Sequence, residues 1–108
     1  MELHHQVTAR NGADADAGRH LLAWVHRAGF ADVRATSSTW TFAEPESQAF
    51  WDGLWSERVV LSSFAEQAVT YGLSDEEELA GIAEAWQEWA AHDDAVFIVV
   101  HCEVLARR

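Results

Sequence analysis

The sequence predicts an α+β domain in which helices pack on two antiparallel strands, and three observations carry that prediction. Ala95 to Ala106 (A-V-F-I-V-V-H-C-E-V-L-A) is rich in β-branched residues and too short to span a membrane, so it reads as a strand. Val33 to Phe42 (V-R-A-T-S-S-T-W-T-F) is β-branched and free of Gly and Pro, and reads as a second strand. Between them lie roughly 50 residues with helical periodicity and helix-start signals.

Composition bounds what such a domain does. The chain has 108 residues, 49% of them hydrophobic, with six tryptophans, enough for the core of a single domain spanning 1–108. Eighteen acidic residues against seven basic ones give a formal charge of -11, and there is no basic run. Nucleic acid and anionic membrane are therefore poor partners. A single cysteine, Cys102, and the lack of a signal peptide or a long apolar run point to the cytoplasm.

From the start, Glu2 to Arg10 reads as a short helix. His4 and His5 are adjacent, so they point in different directions on a helix, cannot share a metal, and are expected on the solvated surface. A second helix is expected over 14–28. Asp14 or Asp16 would cap it, Leu21, Trp24, Val25 and Ala28 form its apolar face, and Gly29 ends it with Phe30 folding back on Val25. The polarity of the strand 33–42 suits an edge. The strand 95–106 is apolar on one face throughout, and on the other until His101 and Glu103, as in a strand covered on both sides.

The intervening helices, about 45–92, are expected to form a cap lying over something. Pro45 opens a helix carrying Phe50, Trp51, Leu54 and Trp55. Ser63 with Glu66, and Ser74 with Glu77, are spaced as capping boxes, Gly72 ends the helix between them, and Asp75 to Glu78 place four carboxylates at a helix N-terminus. Leu79, Ile82, Ala83, Trp86 and Ala90 then line up as an apolar face.

Two clusters are candidates for chemistry. Trp51, Leu54, Trp55 and Arg58 share a helix face, which reads either as an aromatic wall with an anion or carbonyl binder, or as core tryptophans with Arg58 stacked on Trp55. His101 and Glu103 share a strand face, as a general base with its orienter, as two ligands of a metal lacking a third, or as polar residues where a strand leaves the core; Cys102 points the other way and cannot be activated by His101. The sequence assigns no role to His20, His26 or His92. No metal site is written, and the six glycines never form G-x-G, so no dinucleotide or phosphate loop is present.

The run L-L-A-W-V-H-R-A-G-F-A-D-V (Leu21–Val33), the strand after it, the segment W-x-x-x-W-x-x-R (Trp51–Arg58) and the closing F-I-V-V-H-C-E-V-L-A-R (Phe97–Arg107) resemble the C-terminal part of class I S-adenosylmethionine-dependent methyltransferases of the ubiquinone/menaquinone-biosynthesis-like type. The resemblance implies that 33–42 is the sixth, edge strand and 95–106 the seventh, interior strand of a larger sheet, with the helices as a substrate lid. It makes Trp40, Trp51, Trp55 and Arg58, with His101, candidates for lining the acceptor pocket, and assigns no catalytic residue. S-adenosylmethionine is implied for the full-length family, but its Gly-rich loop and acidic ribose partner have no counterpart here. The isolated chain is therefore expected to be inactive and to bind no cofactor alone. Its expected partners are a missing N-terminal methyltransferase half or a second copy in a homodimer. The alternative is a free-standing α+β module that binds a small apolar ligand or dimerises.

Overall fold

The computed structural model describes all 108 residues. In chain order the elements are α1 (Glu2–Arg10), a 3₁₀ turn (Ala17–His20), α2 (Leu21–Arg27), β1 (Asp32–Phe42), α3 (Pro45–Leu61), α4 (Ser63–Thr70), α5 (Glu76–Ala90) and β2 (Phe97–Arg107). The two strands pair in one sheet. Trp40 meets His101 and Phe42 meets Phe97, so the strands run in opposite directions. The α+β class and the helices between the strands are as the sequence predicts. The chain divides into two compact units, one made of Met1–Ala15 with Phe42–Phe97 and the other of Asp16–Thr41 with Ile98–Arg108.

The first unit is helical. Pro45 begins α3, whose inward stripe is Gln48, Trp55 and Val59; with Ala83 of α5 the last two form one apolar cluster, completed by Trp51, Phe64, Ile82 and Trp86. A second cluster joins Val7 of α1, Ala65 and Ala68 of α4 and Leu79 of α5. Asn11 fixes the end of α1 to α4 by donating to Gln67 Oε1 (2.8 Å) and accepting from Tyr71 Oη (2.7 Å). Gln48, the one buried polar side chain, donates to the carbonyls of Ala43 (3.0 Å) and Ala95 (2.7 Å). It thereby satisfies two carbonyls on the segments that lead into α3 and β2.

The helix starts sit one residue from the predicted boxes. Ser62, not Ser63, caps α4, its hydroxyl accepting from Phe64 N; Asp75, not Ser74, caps α5, accepting from Glu78 N at 2.8 Å. In each case the capping residue has an extended backbone (φ -115° at Ser62, -127° at Asp75), which is what an N-cap requires. Ser74 instead donates to the Glu78 carboxylate.

The second unit corrects two expectations. The helix predicted over 14–28 is a 3₁₀ turn, with Asp16 at its N-cap position, followed by α2. Gly18 lies in the turn at the break, where a Cβ would come within 3.0 Å of Cys102 Cβ, and a glycine also weakens a helix interior. Gly29 does end α2, at φ +88°, and Phe30 N returns to Val25 O. The strand predicted over 95–106 and buried on both faces begins at Phe97, with Phe97, Val99 and His101 half-buried while Ile98 and Val100 are 55% and 63% exposed. A strand is interior only when both edges are paired and both faces covered, and β2 has one neighbour. Ala95 lies before the strand because its N–H bonds His92 O in a turn and its carbonyl bonds Gln48.

Candidate functional site

Alternation along β1 and β2 places one group of predicted residues together. Trp40, half-exposed, stacks on His101 with ring centroids 3.8 Å apart and planes 20° from parallel. Farther along the same face, Glu103 accepts from Thr36 Oγ1 (3.0 Å) and Ser38 Oγ (2.9 Å). Glu103 is thus committed across the sheet rather than to His101, and the pairing of base and orienter read from sequence is not formed. Cys102 is exposed on the opposite face.

The other predicted group lies in the first unit. Trp55 is buried, stacked on Trp86 at 5.9 Å and 9°, and the Arg58 guanidinium lies 5.0 Å over its ring. Trp51 meets Phe42 at 5.1 Å and Phe97 at 4.7 Å. The five candidates therefore form two sets, Trp40 with His101 on the sheet and Trp51, Trp55 and Arg58 along α3.

Sequence reasoning missed His4. It was expected on the surface, yet it packs edge-on to Trp55 at 5.6 Å and alongside Phe64 at 6.2 Å. The i,i+3 spacing of His4 and the buried Val7 is the signal that places it on the inner face of α1. Burial, and then the charges of His5, Arg58 and the N-terminus, lower its pKa. His4 Nδ1, Trp51 Nε1, Asp52 Oδ1 and Trp55 Nε1 are buried without hydrogen-bond partners. His4, Trp55, Phe64 and Trp86, with Glu2 and Glu78, line a cavity of about 220 Å³.

A more open groove of about 450 Å³ is lined only by Met1, Ile82, Ala85, Trp86, Trp89 and Phe97. Ile82, Trp86 and Trp89 recur at i, i+4 and i+7, so Trp89 widens the apolar face of α5 read from sequence. Neither Trp89 nor Phe97 was among the candidates.

No three His, Cys, Asp or Glu side chains converge as a metal site would require. Gly12, Gly29 and Gly72 lie in the left-handed region, each just past the end of a helix. No helix is long and apolar enough to cross a membrane.

The chain is similar to an uncharacterized methyltransferase of Schizosaccharomyces pombe, with 26% identity over 100 residues. The match covers 91% of this chain but 35% of the yeast protein, so the chain spans about a third of the length of that relative. No family model matches the sequence, and no solved structure matches it.

Proposed function

We propose that the chain is the substrate-side portion of a methyltransferase, supplying lid helices and two strands while the cofactor is held by residues outside it. The observation that carries this reading is the match along nearly the whole chain to a third of a protein named a methyltransferase. Methyl transfer depends chiefly on aligning the acceptor with the methyl donor in a dry site. Aromatic walls suit that task, and on this reading Trp40 with His101, and Trp51 with Trp55 and Arg58, are the acceptor-facing candidates.

Calorimetric titration with S-adenosylmethionine tests the proposal. The chain alone should bind it with a dissociation constant above about 1 mM. Micromolar binding would show a complete cofactor site in these residues and sink the substrate-side reading.

A further inference from the structure

We propose that Trp86, Trp89 and Phe97 form a binding corner for an organic cation, an alkylated ammonium group attached to an apolar body. The three rings stand nearly at right angles to one another. Trp86 and Trp89 are 5.5 Å apart at 80°, Trp86 and Phe97 5.8 Å at 84°, and Trp89 and Phe97 6.4 Å at 76°. Three perpendicular rings facing a shared point ~4.5 Å from each would have centroids roughly 6.4 Å apart, and a cation within about 6 Å of a ring face is attracted by its quadrupole. One pair reaches that figure and the other two fall short of it by less than about 1 Å, and all three rings border the same open groove, lined also by Met1, Ile82 and Ala85 and by no charged side chain. Trp86 is held from behind by its stack on Trp55, so the corner is pre-organised.

Charge points to the same ligand. The first unit has fifteen acidic side chains against two arginines, Arg10 and Arg58, a side-chain net of -13 that outweighs the single α-amino charge of Met1. Both arginines already lie over other rings, Arg10 over Tyr71 and Arg58 over Trp55. α5 itself has five glutamates and no basic residue, and Asp93 and Asp94 follow it. An apolar anion would be repelled from such a unit, whereas an onium ion gains from both the field and the rings. This site requires only the rings and their charge, and is independent of the methyltransferase reading.

The test is a titration of the full chain with choline and with its neutral isostere 3,3-dimethylbutan-1-ol, followed through the indole N–H resonances. Choline is expected to saturate, and the alcohol to bind at least tenfold more weakly. Trp89→Leu should weaken choline at least tenfold, and Trp24→Leu, in the second unit, should leave it unchanged. Equal affinity for the alcohol, no saturable choline binding, or indifference to Trp89→Leu in a folded variant would overturn the proposal. Should Trp89→Leu not fold, the comparison of choline with the alcohol on the native chain decides alone.

Discussion

His4 shows how one side chain couples the core to pH. Its folded-state pKa lies below the ordinary value of about 6.5, chiefly through burial, so the fold favours the neutral ring. That contribution is complete above the unfolded pKa and is lost as the pH falls below about 6.5 towards the folded value. Melting temperatures measured from pH 7.5 down to 5.5 should therefore fall more for the native chain than for His4→Gln; parallel curves would remove His4 as a cause. Arg58 is a contrasting case, because its guanidinium is exposed above Trp55. Arg58→Ala should cost less than about 1 kcal/mol, since an exposed cation–π contact is worth about that much or less. A larger loss in denaturant titration would mean that the arginine stem seals the Trp55 cluster. If Arg58 faces an acceptor, the same variant should weaken ligand binding while the fold holds.

At the scale of elements, two joints fix the helices. Asp75 caps α5 and stands before Glu76, Glu77 and Glu78, which lie near the positive end of the helix dipole. Asp75→Ala should cost about 1 kcal/mol, as loss of an N-cap does, and Asp75→Asn much less. Equal losses in the two variants would show that charge, not the hydrogen bond, matters at this position. Gln48 bridges the lead-ins to α3 and β2. Gln48→Leu keeps the apolar volume but orphans two carbonyls, so a loss of about 2 kcal/mol is expected in chemical denaturation. A neutral outcome would indicate that water replaces the amide.

For the whole molecule, the sheet is the unfinished part. Each strand has one unpaired edge, and Ile98 and Val100 are exposed in a stretch of β2 that has neither a charge nor a proline before Glu103. Such an edge is a template for pairing with another chain. In solution the chain is expected to associate as a two-fold dimer, burying on the order of 1,000 Å² or more. Light scattering at micromolar concentration should report it, and Val100→Lys should shift the population to monomer. A native chain that is monomeric across that range would show that this face needs no cover.

The sequence by itself determined the elements, because their causes are local. Pro45 opens α3, Gly29 and Gly72 end helices at φ +88° and +67°, and β-branched runs make the two strands. Spacing alone also put Trp55 and Arg58 in stacking reach. Tertiary structure decided what each face meets. The two-sided apolarity of β2 could not reveal that its partners on one face are absent, since a pattern records what a strand can bury and not what is there to bury it. His4 looked like surface because its packing partners, Trp55 and Phe64, lie some 50 to 60 residues away in sequence. Trp89 and Phe97, one on a helix and one on a strand, share a groove only because the turn at 91–96 brings them together, and periodicity within one element cannot see across such a turn.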